Sequence, residues 1–463
     1  MKYSALKPVL GFAGHKFRGY LERQIEHACE AAKGLEVEDN LIRLLDPPVP
    51  FSRIATREQE LDFLQYRSPS YVPPMSDGVV EETLLALNGE NAPEPYDART
   101  LARLALNSTV AYLVTRDGDE WVLDYTAVTL FPYRPLTVAQ FRFDLERDCF
   151  RIIDIGGHTH RPGDPTWDTA VTHALCWAVI AVPAGAHNWV HFALPDVVAS
   201  VHERMTLQDS NVWRLLAPHV RFTNRINYQG LWIQRSTSNA PTLRKALVPW
   251  ISAPFYEDQF RGGVMRNTQR HYANFEQHFE LPRSLDERIP YFAFLREYYE
   301  VCERFATAID RALEEDAWQE FAGLVDHELP GFAAIPRRKA LAVLLWQVGV
   351  VHICDHSVLY PHVLSYGFMK VPHSLQVPYT RENITRHDRW KTRCFAHAFI
   401  TFNPSPGLDQ RLVNVESYGF ATDSQAHQAA LDFRADLLAT DARLASEGRA
   451  MVPVDQMIQS ICF

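Results

Sequence analysis

Lys339-Ala-Leu-Ala-Val-Leu-Leu-Trp-Gln-Val-Gly-Val-Val-His-Ile-Cys-Asp-His-Ser-Val-Leu-Tyr360 is apolar on nearly every side of a helical wheel. That is the pattern of a helix buried at the centre of a large α-helical domain, so its polar members need partners. His352 and His356 stand one turn apart and project from the same face. Burying two imidazoles without partners would be costly. A metal ion resolves this, because neutral imidazole nitrogen is the commonest ligand for iron, copper and zinc. Taken alone, such a pair is more often one core histidine and one surface histidine. Asp355 lies about 100° around the helix from His356 and reads as an orienting or interhelical partner, not a ligand.

Working outward, the same spacing recurs at His187 and His191 in Ala186-His-Asn-Trp-Val-His-Phe-Ala-Leu-Pro195. Two such pairs in apolar surroundings make a shared metal the better reading. Pro195 has no amide hydrogen to offer the carbonyl of His191, so the helix is expected to bend beside the site. A third pair, His158 and His160 in Gly156-Gly-His-Thr-His160, sits among Gly and Pro and reads as a solvated turn.

The rest of the chain supplies a mainly α frame with a small sheet. Residues 15–46 carry helical spacing and 47–80 are rich in Pro, so 1–107 is expected to be an N-terminal helical cap and connection, followed by one large domain over 108–463. Short β-branched and aromatic runs at Thr109–Val114, Trp121–Tyr125 and Phe150–Ile155, with turn chemistry at Asp117-Gly118-Asp119, predict a sheet near 108–155. Ser284-Leu-Asp-Glu287 has the form of a capping box. A stripe then follows at Phe294, Leu295, Tyr298, Cys302, Phe305, Ile309 and Leu313. A last helix over 426–446 is expected to end before Gly448, and the closing Met451–Phe463 is too apolar to hang free.

Composition narrows the function. Among 463 residues, 46 Lys+Arg against 56 Asp+Glu give a formal charge of -10, which repels phosphate backbones and argues against nucleic acid as a partner. Seven cysteines at irregular spacings, with no CxxC pair, read as buried thiols in a reducing compartment, which favours the cytoplasm. No window is long and apolar enough to span a membrane. The oligomeric state is not legible.

Four stretches resemble the lipoxygenase superfamily. Leu215-Leu-Ala-Pro-His-Val-Arg-Phe-Thr-Asn-Arg-Ile-Asn227 is similar to the family's LLxPHxRxTxxIN signature, and Trp346…His352…His356 to the helix that carries its third and fourth metal ligands. Gln459-Ser-Ile-Cys-Phe463 resembles the family's C-terminus, whose last residue binds iron through its main-chain carboxylate, and Val122-Leu-Asp-Tyr125 resembles an early strand of the catalytic domain. The likeness runs over about 110–463 and implies a large α-helical lipoxygenase-like catalytic domain in a reduced form, without the family's N-terminal β-sandwich. It further implies one mononuclear non-haem iron held by His187, His191, His352, His356 and the α-carboxylate of Phe463, with O2 as co-substrate. The implied reaction is homolytic cleavage of a weak C–H bond in a diene-containing lipid, followed by capture of O2.

The chain departs from the family pattern in places. Its first pair is HxxxH where the family has HxxxxH with a π-type bulge, and its last residue is Phe463 where the family has Ile. Arg225 stands where the family has a small residue that shapes the path of oxygen. An arginine there would fill that path or bind an anion, and it supports the alternative of a smaller, polar or anionic substrate on the same scaffold. A four-histidine copper site is a further rival, because copper outcompetes iron for nitrogen ligands.

Overall fold

The computed structural model describes residues 105–124, 139–144, 149–155, 158–167, 187–221, 261–355 and 411–461, together with positions 102, 170 and 223. Most of the expected N-terminal cap and connection, 1–107, lies outside these residues. What is described is mainly helical with one small sheet, as the sequence patterns predict.

The sheet is an antiparallel meander of β1 (Val114–Asp117), β2 (Glu120–Asp124), β3 (Ala139–Asp144), β4 (Cys149–Ile155) and β5 (His158–His160), paired in that order. Gly118 turns β1 into β2 at φ 63, a region open to glycine at little cost. Arg142 of β3 donates to Asp117 at 3.0 Å and to Glu120 at 3.1 Å, fastening this hairpin to the third strand.

Two expectations fail here. Thr109–Leu113 is a 3-10 helix, not part of a strand. Its β-branched run is buried, the Ser108 hydroxyl caps it by accepting from the Val110 amide, and the Thr109 hydroxyl donates to the carbonyl of Asp355 at 2.9 Å. His158–His160 is the edge strand β5, not a turn, although His158 is indeed exposed.

The helices in chain order are α1 (Asn188–His191), α2 (Leu194–His202), α3 (Asn211–Val220), α4 (Arg261–Ala273), α5 (Gln277–Ser284), α6 (Pro290–Ile309), α7 (Glu315–Glu328), α8 (Arg337–Trp346) and α9 (Gln425–Ser446). α6 packs against both α8 and α9. Its predicted stripe is buried throughout, with Phe305 stacked on Phe433 of α9 at 4.3 Å between ring centroids. Burying each such side chain contributes about 1.5–3 kcal/mol.

The capping box at Ser284–Glu287 does not form. Ser284 closes α5 with its hydroxyl on the Leu281 carbonyl, and α6 starts instead at Pro290, with no side-chain cap. Proline at the first helical position has its φ preset and needs no amide partner there. α9 ends as expected, with Gly448 at φ 68 just beyond it.

α8 runs on through a π turn, Gln347–Val351, and helical residues continue to Asp355. Every residue from Ala340 to Asp355 is buried, which confirms the central position read from the sequence. The closing segment packs here too. The Leu412 amide donates to the Met457 carbonyl at 2.8 Å, and Val452, Val454, Met457, Ile458 and Ile461 are buried. Gly349 makes the close fit possible, since a Cβ on it would stand 2.8 Å from Leu412 Cδ1 and 3.8 Å from the Ile458 carbonyl oxygen.

Candidate metal centre

His187 and His191 flank a single helical turn. His187 is the residue before α1 and His191 its last member, so their side chains meet on one face, with Nε2 atoms 3.0 Å apart. The chain then leaves the helix. Phe192 is extended and Ala193 takes φ 66 and ψ -96, a strained conformation for any residue with a Cβ. α2 starts directly afterwards with Pro195 in its first turn, where a missing amide hydrogen leaves no bond unmade. The bend expected beside the site is therefore a complete break, placed two residues before the proline.

His352 arrives by a different route. Its amide bonds the carbonyl of Gln347, five residues back, so the turn before it holds one residue more than an α turn. That extra residue rotates the following side chains by about 100° relative to an uninterrupted helix. The π turn the family places near its first pair lies, among the described residues, on the other helix. The outcome is convergence. One ring nitrogen from each of His187, His191 and His352 lies within 4.8 Å of the others, and the ring centroids are 4.9 to 5.7 Å apart. His187 and His352 are buried and His191 is half-buried.

Asp355 orients this cluster, as its place on the helix predicts. Its Oδ2 stands 2.8 Å from His187 Nδ1, and the Tyr291 hydroxyl at the start of α6 donates to its other oxygen. With the carboxylate ionised, His187 donates from Nδ1, which leaves the Nε2 lone pair facing the other two imidazoles. Burial lowers the His187 pKa to about 3 and pushes that of Asp355 up, against the pull of the Tyr291 and Thr109 hydrogen bonds. The imidazole is thus neutral at physiological pH, the form in which it can act as a nitrogen ligand. Gln347 joins the two histidine-bearing elements by donating to the Trp189 carbonyl at 2.9 Å.

His219, within the signature string, is not in the cluster. It donates from Nδ1 to the carbonyl of Gln459 at 2.7 Å, and its Nε2 lies 3.0 Å from the Tyr418 hydroxyl. Gln459 in turn donates to the Asn414 carbonyl. The signature helix therefore grips the chain at Gln459, which gives His219 a structural role and not a ligand's. Burial lowers His219 to about 4, opposed by its bond to Gln459. The roles of Tyr291, Thr109 and Gln347 are not legible in the sequence, because each acts on a residue far away along the chain. Cys302 and Cys354 are free and buried, as expected. His356, Phe463 and Arg225 lie outside the described residues.

No protein-family model and no curated protein matches this sequence. Its similarities are to solved structures, and they show a lipoxygenase-like fold. A calcium-dependent 11R-lipoxygenase superposes with a TM-score of 0.61 at 15% identity over 80% of this chain, and the chain spans 66% of that enzyme's length. A lipoxygenase variant crystallised anaerobically with arachidonate gives 0.62 at 12% identity, covering 87% of this chain and 73% of the other. The manganese lipoxygenase of Gaeumannomyces graminis gives 0.56 at 13% identity, covering 89% and 86%.

Proposed function

We propose that the chain is a non-haem metal oxygenase of the lipoxygenase type, which removes hydrogen from a diene-containing lipid or related apolar substrate and adds O2 to the carbon radical. The observation that carries this reading is the convergence of His187, His191 and His352 on a lipoxygenase-like fold, with His187 oriented by Asp355. Three neutral imidazoles fit a nitrogen-bound transition metal. By resemblance, His356 and the α-carboxylate of Phe463 complete the ligand set, and the grip of His219 on Gln459 supports the second of these by holding the tail nearby.

A redox-active ion in this set would supply the one-electron oxidant for a weak C–H bond. Iron is the ion inferred. Manganese is the alternative that the fungal relative suggests, and copper the one favoured by nitrogen donors alone. The protein's own part is to present the lone pairs, to keep His187 in one orientation through Asp355 and Tyr291, and to exclude water with the wholly buried stretch Val348–Cys354. The arachidonate-bound relative supports a polyunsaturated acid as substrate. Arg225 supports the second reading, a smaller or anionic substrate.

The test is to load metal-free protein with ferrous iron and offer fatty acids with and without a 1,4-diene. The proposal expects oxygen uptake and conjugated-diene absorbance with the dienes alone. Silence with every diene acid, and no gain from Arg225→Ala, would move the assignment to the second reading. Copper at one equivalent in protein purified without added metal would overturn iron.

A further inference from the structure

Beside the three-histidine cluster lies a pair of histidines, one buried and one half-buried, that the proposed reaction does not use. His278 of α5 is 3% exposed, and neither ring nitrogen has a hydrogen-bond partner. His271 of α4 reaches it across the short turn 274–276, with ring centroids 5.6 Å apart, and its buried Nε2 is likewise without a partner. That separation falls within the 4.9 to 5.7 Å found among His187, His191 and His352. On the side toward the first cluster, the Trp189 indole meets His278 edge to face at 5.5 Å, and its Nε1 is also unpartnered.

Such a group is out of keeping with a native interior, where buried polar atoms are almost always paired. Each neutral imidazole offers one N–H and one lone pair, so His278 alone buries a donor and an acceptor with nothing opposite them. Burial lowers His278 to about 3 and His271 to about 4, with the exposed Arg270 also holding His271 down. Both rings are therefore neutral and carry a free lone pair at physiological pH.

We propose that His271 and His278 form a second metal site, separate from the three-histidine cluster, that takes an imidazole-seeking ion of the zinc or copper type. Among the described residues no acidic or thiol side chain joins the pair to make a three-ligand group. The donors among the described residues are thus nitrogen only, which suits these ions and disfavours magnesium, calcium or manganese. Water completes the coordination. Trp189 lies between the two sites, since it sits on α1 between His187 and His191 and also touches His278.

The test uses the full chain stripped of metal, with zinc as a redox-silent probe, counting the equivalents kept after desalting. Wild type is expected to keep two, His271→Ala one, His191→Ala one, and the double variant His191→Ala/His271→Ala none. His271 is only half-buried, so its variant should fold, which circular dichroism of the metal-free protein checks. Zinc should raise the melting temperature of His191→Ala through the remaining site, and should not raise that of the double variant. If His271→Ala and His278→Gln keep as much zinc as wild type, or if zinc leaves His191→Ala unmoved, the pair is merely hydrated and the proposal is wrong. Either result leaves the three-histidine reading intact, because that reading is tested by His191→Ala against wild type.

Discussion

His352 sits on a helix that runs from Arg337 to Asp355 and is buried at every residue from Ala340 onward, whereas His187 and His191 flank a helix of four residues cut off at Phe192 and Ala193. The long helix stabilises itself by burial and aims its histidine with one inserted residue. The short one is far below the length at which a helix holds in isolation. It keeps its shape only through neighbours: Gln347 on the Trp189 carbonyl, Asp355 on His187, and the Asn188 amide against Thr268 of α4. The comparison teaches that half of the site is built into an element and the other half is borrowed from what surrounds it.

Removing one imidazole from each half should produce the largest effect. His352→Ala and His191→Ala are both expected to reduce the iron bound at the three-histidine site to trace levels by elemental analysis. They should part in stability: His352→Ala opens a hole in the core and costs on the order of 1–3 kcal/mol in chemical denaturation, while half-buried His191→Ala costs little. Equal losses would dissolve the contrast.

Asp355→Asn comes next, since it keeps the shape of the link between the halves and exchanges its carboxyl group for an amide. Competition with a chelator should show metal affinity lower by about 10–100-fold, and an unchanged affinity would remove Asp355 from its orienting role. Gly349→Val then attacks the long helix where the tail crosses it. With Leu412 Cδ1 only 2.8 Å from a Cβ at that position, overpacking is expected to cost about 1–3 kcal/mol, and a neutral result would show that Leu412 moves aside freely.

The smallest effect belongs to the break after His191. Ala193→Gly should relieve strain of about 1–3 kcal/mol at φ 66, against roughly 0.5–1 kcal/mol of added chain entropy. A net gain of about 1 kcal/mol, with metal content unchanged, is the expected outcome. A loss of stability would mean that the Ala193 methyl group, fully buried, contributes more by packing than its backbone costs.

Much of this was legible in advance where the signal is local. The buried helix around His352, the stripe on α6, the end of α9 before Gly448 and the sheet with its Asp117-Gly118-Asp119 turn all follow from periodicity and turn chemistry. The failures share a cause. Thr109–Leu113 looks like a strand by composition and is a 3-10 helix because it is buried against Asp355, 246 residues away for Thr109. Ser284–Glu287 looks like a helix start, and Pro290 takes that role.

From residue identities and spacing alone came the two histidine pairs, the central place of 339–355, the second-rank position of Asp355 beside them and the likeness to lipoxygenases. Each depends on neighbours within a turn or two along one element, and such relations survive in a linear string. Tertiary structure alone decided that a π turn lies before His352, that the chain breaks at Ala193, that Tyr291 holds Asp355 and that His219 holds the tail at Gln459. It also placed His271 against His278. Those are choices about which distant side chain fills a given gap, and no local pattern encodes them because the energy that selects them exists only once the elements are packed.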